Sequence, residues 1–530
     1  MTDDYYLKIG KASDLKSSKD RALFRFFEIL PGALSFLTLF LVILLSWLKP
    51  VWTAYFIIFF VIYWLFRTIY FSFHLRAAYK RMKEYEKIDW IEKLNQLTIN
   101  NQQLTIKNWR DVYHLIIFPM YKEPLEIVRD TFTAILNTDY PKDKMIVILA
   151  GEEKIREQAQ KVAENIEKEF GDKFFQFLVT WHPANLPGEI AGKGSNETWA
   201  ARRAKELIID LLKIPYQNII VSSLDADTVV SPKYFSCLTY HYLTSKNPTQ
   251  TSFQPTPLFI NNIWQAPSFS RLFAFSATFW QMMCQERPEK LITFSSHSMS
   301  FKALVDVDFK QTNVVSDDSR IFWQCFLYYK GDYQVQPLYY PISMDANVAK
   351  SSWRTLINIY KQQRRWAYGV GDIPYFIFGF LKDSEGELNS YRARKKTPLS
   401  KKISLGFTLW ECHWSWATNS IIIFLLGWLP LLLGGEAFSQ TLISYNLPLL
   451  TSRILTVAMI GLIGSAYFSI LLLPPKPPEY GRFKYFILAL EWLLIPLMMI
   501  FFTSLPALDA QARWMLGKYM GFWPTEKIRK

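Results

Sequence analysis

Two carboxylates one residue apart, Asp225 and Asp227, directly follow an apolar run at residues 219–221, and Ser-Pro at 231–232 breaks the chain soon after. Ile and Val before a Pro stop predict a buried strand, and in extended backbone residues i and i+2 point to the same side. Carboxylates at the end of a strand are hard oxygen ligands that suit a divalent cation. Since Mg²⁺ shares its coordination shell with substrate phosphates, the stretch predicts a metal–diphosphate site, with a solvated loop as the alternative.

Three further groups of residues have types that suit phosphate binding and proton transfer. Lys193 lies between two glycines, which permit close backbone approach, and its ammonium is a point charge suited to phosphate. Asp318 and the aspartate before it begin a predicted helix. Asp318 can be a catalytic base or only a helix cap, and the sequence leaves both roles open. Arg365 and Trp366 lie in a stretch, 352–381, whose basic and aromatic residues predict an interfacial amphipathic helix.

Strands and helices alternate along the middle of the chain, and they must position these groups. The predicted strands lie at 113–118, 145–149, 174–181 and 218–224, and the predicted helices between them at 124–136, 153–169 and 197–213. This alternation predicts an α/β fold with a mostly parallel, doubly wound sheet. Ligands of such sheets bind beyond the carboxyl ends of the strands, which places the loops at 119–123 and 150–153 beside the two aspartates.

Long apolar runs lie at both ends of the chain, at 29–48, 51–73, 416–433, 454–473 and 485–505, and each is close to the ~20 residues that cross a bilayer. Lys and Arg before the first run and after the second place the middle segment in the cytosol. The formal net charge of +14 therefore predicts a basic surface toward anionic lipid rather than nucleic-acid binding. Five crossings leave the basic tail outside, against the charge rule, unless Pro496 breaks the last run into a re-entrant hairpin.

The composition divides the chain into membrane and globular parts. The four cysteines are scattered without metal-ligand spacing, which indicates a reduced, cytosol-facing protein. We expect an integral, multi-pass protein of the cell's inner membrane with its catalytic domain in the cytosol. The predicted divisions are a cytosolic N-terminal segment at 1–26, a transmembrane hairpin at 27–75, a connector at 76–111, a catalytic domain at 112–346, amphipathic interface helices at 347–402, transmembrane helices at 403–508 and a basic cytosolic tail at 509–530.

The order of these groups resembles that of membrane-embedded family-2 glycosyltransferases with a GT-A fold, in the branch that contains cellulose, hyaluronan and chitin synthases and ceramide glucosyltransferase. The resemblance covers residues 113–369 and is carried by the loop at 118–124, the lysine loop at 191–196, Asp-x-Asp at 225–227, Ser-Asp-Asp at 316–318 and Gln-x-x-Arg-Trp at 362–366. A further likeness, to the Phe-x-Val-Thr-x-Lys gating segment of processive synthases, lies at 522–527, where Pro replaces Val and a plain basic tail is the alternative.

The sequence departs from the family pattern at two places. Family-2 enzymes usually carry an aspartate after the second strand to contact the nucleobase, whereas this chain has Glu152 and Glu153. Ser-Asp-Asp stands where the family has Thr-Glu-Asp, which keeps the final aspartate and shortens its neighbour. The first departure leaves open which glutamate contacts the base and which nucleobase is bound.

The resemblance implies an inverting hexosyl transfer from a nucleotide sugar, a UDP-sugar by preference, to a glycan or lipid acceptor at the bilayer. For the donor, the resemblance implies nucleoside contacts for Tyr121 and Glu123 and diphosphate contacts for Lys193 and Arg365. It implies that Asp225 and Asp227 bind Mg²⁺ or Mn²⁺, with Asp225 also toward the ribose. Asp318 would take the proton of the acceptor, and Gln362 and Trp366 would contact the diphosphate and the acceptor.

Other functions stay open at this point. Within sugar transfer, a processive polysaccharide synthase and an enzyme that adds one sugar to a lipid both carry Gln-x-x-Arg-Trp. In a different class, a transporter or a membrane scaffold with a degenerate transferase domain is possible, since a charge within an apolar run, Glu491, is typical of transport proteins. Protein partners and the oligomeric state have no signal in the sequence.

Overall fold

A computed structural model describes residues 5–99, 101, 104, 106–383, 397–525 and 529. The chain forms an α/β domain with a mixed sheet and several long apolar helices. The predictions that fall on residues 1–4, on 384–396 between the interface helices and the next apolar run, and on Glu526 and Lys527 of the tail motif lie outside the described residues.

Two long helices, α1 (Ser18–Leu48) and α2 (Pro50–Lys87), form the predicted N-terminal hairpin, and α3 (Trp90–Gln96) leads into the α/β domain. The turn between α1 and α2 is as short as Lys49-Pro50 predicts, because Pro at the first helical position is already set for a new helix. The segment before α1, predicted as polar surface, buries Tyr6, Leu7 and Ile9 in the core of the α/β domain.

Eight strands form one sheet in the order β3-β2-β1-β4-β7-β6-β8-β5. They are β1 (Tyr113–Pro119), β2 (Met145–Glu152), β3 (Gln176–His182), β4 (Ile219–Ser223), β5 (Val229–Val230), β6 (Thr251–Leu258), β7 (Ser298–Ser300) and β8 (Gln334–Ser343). The first four strands in the sheet order are parallel, as predicted. The second half is mixed, because β7 runs antiparallel to both of its neighbours and β5 runs antiparallel to β8. The sheet is therefore less parallel than predicted.

Helices pack against the sheet, and two more follow it in the chain. They are α4 (Leu125–Leu136), α5 (Arg156–Phe170), α6 (Lys193–Ala204), α7 (Tyr234–Thr244), α8 (Ser268–Gln285), α9 (Phe301–Asp306), α10 (Asp317–Tyr328), α11 (Ser352–Ala367) and α12 (Asp372–Asp383). The helix predicted at 197–213 begins earlier, at Lys193, because the Ser195 hydroxyl accepts the Gly192 N–H at 3.2 Å and closes the first turn. This start brings Lys193 to the carboxyl edge of the sheet.

The C-terminal part contains α13 (Leu399–Phe424), α14 (Leu429–Leu433), α15 (Gly435–Ser439), α16 (Leu442–Leu471), α17 (Phe483–Leu490), α18 (Ile495–Met499) and α19 (Leu505–Leu516). Among the described residues four helical segments are long and apolar enough to cross a membrane: α1, α2, α16 and Phe483–Leu516. A fifth arises if Leu399–Phe424 and Leu426–Leu433, which meet at a 49° bend, form one span.

The segment Phe483–Leu516 differs from α16 in what it contacts. Tyr480, just before it, stacks on Trp264 of the α/β domain with ring centroids 5.7 Å apart. Within it, Glu491 accepts a hydrogen bond from Arg271 on α8 at 2.9 Å, and Asp509 accepts one from Arg364 on α11 at 2.8 Å. The segment therefore contacts the α/β domain near its start and the interface helix α11 near its end.

The N-terminal segment, α1 and the tail meet at one buried carboxylate. Glu28 on α1 accepts hydrogen bonds from the Ala12 N–H at 2.8 Å, from Arg25 at 2.6 Å and from the Tyr519 hydroxyl at 2.7 Å. Arg25 also donates to the Trp514 carbonyl at 2.7 Å, at the end of α19. These contacts fix the direction in which the tail leaves α19, toward the α/β domain.

Candidate active site

The predicted metal aspartates follow β4 at the carboxyl edge of the parallel strands. The backbone turns there rather than staying extended, because the Thr228 N–H donates to the Asp225 carbonyl at 2.8 Å. Asp225 lies 2.7 Å from Lys193 Nζ and accepts the Ser295 hydroxyl at 2.7 Å. Asp227 is buried and accepts the Asp345 N–H at 3.1 Å. The two carboxylates thus take different partners, contrary to the same-side geometry expected from extended backbone.

Lys193 lies at the centre of the site. Its ammonium is 2.7 Å from Asp225 and 2.9 Å from Asp318, which joins two motifs that are far apart in the sequence. Burial disfavours the charged ammonium, but the two carboxylates outweigh it and raise the pKa of Lys193 well above its usual value. Lys193 is therefore a fixed positive charge at the sheet edge, where the first turn of α6 also presents its N–H groups.

Asp317 and Asp318 are the first two residues of α10, and lysine side chains bind both carboxylates. Asp318 lies 3.3 Å from Lys310 in addition to its contact with Lys193. Burial opposes the charged form of Asp318, but Lys193 and Lys310 outweigh it and hold the pKa of that carboxyl well below its usual range. Burial and the neighbouring Asp318 raise the pKa of Asp317 to about 6. Asp318 is thus the member of the pair that stays ionised beside Lys193.

Lys310 is a site residue that the sequence analysis missed. Its Nζ lies 2.6 Å from Glu197, 3.2 Å from Asp317 and 3.3 Å from Asp318. Oxygens of these three carboxylates lie within 4.8 Å of one another, and among the described residues they are the acidic group closest to a cation-binding arrangement. Lys310 already compensates their charge. Nothing in the sequence marks this lysine, which stands alone in an irregular, aromatic stretch.

Arg365 and Trp366 lie on α11 at the rim of the site. Burial lowers the pKa of Arg365, and the negative charges of Asp225, Asp317 and Asp318 oppose this effect. The Arg365 guanidinium therefore faces the same carboxylates as Lys193. Arg365 Nε is buried and has no hydrogen-bond partner among the described residues. Trp366 packs against aromatic rings, and Gln362 accepts a hydrogen bond from Asn347 at 3.2 Å.

The predicted nucleoside end of the site is organised around a histidine. His182 Nδ1 is 3.1 Å from Glu152 and its Nε2 is 3.0 Å from Glu189. Burial opposes protonation of His182, but the two carboxylates outweigh it and raise its pKa. Glu152 Oε1 is buried without a hydrogen-bond partner among the described residues, whereas Glu153 accepts the Ala184 N–H at 3.0 Å on the surface.

The loop after β1 carries the other two predicted nucleoside contacts. Glu123 accepts the backbone N–H of Tyr121 at 2.6 Å, so this carboxylate shapes the loop that presents the tyrosine ring. The Lys122 ammonium lies 5.3 Å from the centre of that ring. Met120 joins the loop to the end of β2, since its N–H donates to the Ala150 carbonyl at 2.7 Å. This pairing places Tyr121 beside the strand end that carries Glu152.

The tail crosses the site between the lysine loop and α11. Phe522 lies over the Arg365 guanidinium at 4.8 Å and against Gly192, where a Cβ would come within 2.6 Å of its ring. Arg529 binds the Asp345 carboxylate at 2.8 Å, next to Asp227. The tail therefore closes one side of the cleft.

Most of the predicted catalytic residues meet in one cleft. Lys193, Asp225 and Asp318 are in direct contact, and Arg365 faces the same carboxylates, whereas Asp227 lies beyond a turn, beside Asp345. Asp225 and Asp227 offer carboxylate oxygens only, the donor type that Mg²⁺ and Mn²⁺ prefer. Residues of the chain therefore fit a hard divalent cation at this edge.

No protein-family model matches the chain, and no curated protein matches it. Among solved structures, it is similar to a mannosyltransferase of Pyrobaculum calidifontis in complex with GDP-Man and Mn²⁺, with 14% identity and a TM-score of 0.38, over 78% of this chain and 99% of that one. It is also similar to TarS 1–349 of S. aureus in complex with UDP-GlcNAc, with 11% identity and a TM-score of 0.37, over 67% of this chain and 92% of that one. Because both TM-scores are low, we infer the function from the site itself.

Proposed function

We propose that the chain is a membrane-bound, inverting glycosyltransferase that moves a sugar from a nucleotide sugar to an acceptor hydroxyl. The observation that carries the proposal is the Lys193 ammonium, held between Asp225 and Asp318 under Arg365. Two cations beside an ionised carboxylate support the proposal, because cations can stabilise a diphosphate leaving group and the carboxylate can accept a proton.

The transfer is a single displacement. The acceptor oxygen forms a bond to the anomeric carbon, the bond from that carbon to the diphosphate oxygen breaks, and Asp318 takes the hydroxyl proton. When the donor binds, the Lys193 ammonium turns from Asp318 to the diphosphate. The positive charge beside the Asp318 carboxylate is then smaller, which makes this carboxylate a stronger base. Arg365 offers its unpaired Nε–H to the same phosphates. Mg²⁺ or Mn²⁺, held by Asp225 and Asp227, would supply further charge neutralisation of the leaving group.

We assign the nucleobase contact to Glu152 rather than Glu153. The Glu152 oxygen that lacks a protein partner accepts an N–H from the base, and His182 holds the other oxygen. A buried carboxylate oxygen without a hydrogen bond has a desolvation penalty, and an N–H donor from the ligand removes that penalty. Uracil and guanine both carry such an N–H, and a UDP-sugar is the first donor to test.

The acceptor hydroxyl is presented at the bilayer surface. Trp366 packs against an apolar cluster that continues from α8 to the helices at 483–499. A lipid or a membrane-held glycan end is therefore the acceptor that this rim favours. Processive synthesis is the second candidate, favoured by the position of Phe522 over the donor side of the cleft.

The proposal extends to the placement in the membrane, and the contacts of each apolar helix support it. We propose four crossings, by α1, α2, α13 with the bent segment after it, and α16, while Phe483–Leu516 lies in the plane of the membrane. Both ends of that segment rest on the α/β domain, and its exposed leucines and phenylalanine at 490, 493, 497, 501 and 505 form one stripe. This count places the basic tail in the cytosol, in agreement with the charge rule. Glu491, the charge that would favour a transporter, is paired with Arg271.

Labelling with a membrane-impermeant thiol reagent tests the placement. Glu479→Cys and Lys518→Cys, on either side of Phe483–Leu516, should both react only from the cytosolic side, and Gly435→Cys only from the outer side. All three positions lie at the surface of the chain, and the unsubstituted chain measures labelling of the native cysteines. Reaction of positions 479 and 518 from opposite sides would show that the segment crosses.

Turnover by the purified protein in nanodiscs tests the activity. With Mn²⁺ and a panel of UDP- and GDP-sugars, one donor should yield free nucleoside diphosphate and a glycosylated acceptor, and product length on a gel separates single from repeated transfer. Release of no nucleotide from any donor, by a protein that binds UDP, would contradict the proposed function.

A further inference from the structure

Lys310 is a buried lysine whose ammonium contacts three different elements. It lies 2.6 Å from Glu197 on α6, 3.1 Å from the Ser223 hydroxyl at the end of β4, and 3.2 and 3.3 Å from Asp317 and Asp318 on α10. Its side chain is only 6% exposed. With so many partners around it, the ammonium has one position, because moving it would leave several buried carboxylates without a cation.

The two lysines that bind Asp318 have different surroundings. Lys193 also contacts Asp225 at the mouth of the cleft, where the donor diphosphate competes for it, and it stands between two glycines at the start of its helix. Lys310 is held from behind by Glu197 and Asp317, away from the mouth. When a diphosphate binds Lys193, Lys310 is the cation that stays on Asp318.

Other charged groups around Asp318 cannot take over this role. His297 Nδ1 lies 3.8 Å from Asp318, but burial and the nearby Lys310 lower the pKa of His297 to about 3, so it is neutral. Glu197 and Asp225 are anions. Arg365 faces several of these carboxylates, but in the part of the chain that the structure describes Lys193 and Lys310 are the cations in salt-bridge contact with Asp318. Lys310 is thus the one cation fixed beneath the base among the described residues.

We propose that Lys310 is a positioning residue for the transfer: it holds one oxygen of Asp318 in the donor-bound state, so that the other oxygen faces the acceptor hydroxyl. The inference rests on the proposed function. Because a base must lie within hydrogen-bond reach of the proton it takes, loss of this anchor should slow the chemical step without weakening donor binding.

The test compares Lys310→Met with Lys310→Arg, and adds the double variant Lys310→Met/Glu197→Gln, which keeps the buried charge balanced if the single variant does not fold. We expect kcat of the methionine variants to fall by ~10²-fold or more, the scale of a misplaced base. UDP affinity and the donor KM should stay within about threefold, well under the ~1.4 kcal/mol of a tenfold change. Lys310→Arg should recover most of the activity, since it restores a cation to Asp318.

A second measurement does not depend on turnover. When UDP draws Lys193 away, Asp318 in the methionine variants has lost both lysines, and its carboxyl should take up a larger fraction of a proton than in the wild type. Calorimetry of UDP binding in buffers of different ionisation enthalpy measures that uptake. Wild-type kcat in the double variant, or equal proton uptake in both proteins, would overturn the role of Lys310. A wild-type protein inactive with every donor would instead contradict the proposed function, on which this inference rests; with an active wild type, either of those two results overturns only the role of Lys310.

Discussion

The molecule contains two pairs of aspartates that are close in sequence, and they differ in what holds them. Asp225 and Asp227 follow a strand and are turned apart, one toward Lys193 and the other toward the Asp345 backbone. Asp317 and Asp318 are adjacent at the start of a helix, and Lys310 binds both. In each pair, one member faces Lys193 and the other lies deeper or to the side.

This comparison shows that spacing in the sequence does not define the chemical unit. Lys193 joins one member of each pair, so the unit is Asp225, Lys193 and Asp318, drawn from three elements. The second member of each pair has a further contact of its own, since Asp227 accepts the Asp345 N–H and Asp317 lies 3.2 Å from Lys310. Substitutions that separate the members of each pair test this assignment.

The largest loss of turnover is expected for Asp318→Asn. The variant keeps the shape of the side chain but removes the base, and turnover should fall by the ~10²–10⁴-fold that such a base contributes. UDP affinity should be unchanged or higher, because Lys193 loses a competing carboxylate. Asp172→Asn, at an exposed surface ion pair, is the matched control. Full turnover by Asp318→Asn would show that another group takes the proton.

Removal of the divalent cation should distinguish the pair Asp225 and Asp227, the proposed metal ligands, from the pair Asp317 and Asp318. EDTA should abolish the protection that UDP gives against thermal unfolding, and Asp225→Asn and Asp227→Asn should each weaken Mn²⁺ binding by more than the ~10–100-fold that loss of an outer-shell partner costs. Asp317→Asn should leave Mn²⁺ affinity unchanged. Protection by UDP that survives EDTA would count against both aspartates as ligands.

The smallest effect on turnover is expected for Asp317→Asn, within about threefold, because Asp317 faces Lys310 rather than the cleft and a threefold change is well under ~1.4 kcal/mol. Its effect is on stability against pH. Since the pKa of Asp317 is raised from 3.8 to about 6 in the folded chain, the native state binds the proton more readily, and this group makes stability fall as pH rises through that window. Asp317→Asn should remove that part of the slope in melting experiments. An unchanged slope would show that Asp317 titrates normally.

The sequence predicts the parallel half of the sheet well because its strands are long and apolar. The strands β1, β2 and β4 and the loops after them are where the hydrophobic runs place them. The mixed half has no such signal, since β7 is three residues long with serine at both ends, and β5 has two residues. A pattern of period two needs more residues than that to be recognised.

The residues of the candidate site also differ in how well the sequence predicts them. The motifs that carry Lys193, Asp225 and Asp318 are visible in the sequence because their order along the chain resembles that of family-2 glycosyltransferases. Lys310 is not visible, because its role depends on three partners brought together by the fold. Hydropathy likewise treats α16 and Phe483–Leu516 as equal spans, although the second contacts the α/β domain near its start and α11 near its end.

The contacts of α19 would link the bilayer to the candidate site if this helix lies in the membrane plane, as proposed above. Asp509 on α19 binds Arg364, and the next residue along α11 is Arg365, whose guanidinium faces the reacting groups. Under the proposed placement in the membrane and the proposed activity, a change in headgroup packing that tilts α19 would move Arg365 through Arg364. The rate of transfer would then depend on the lipid composition around the protein.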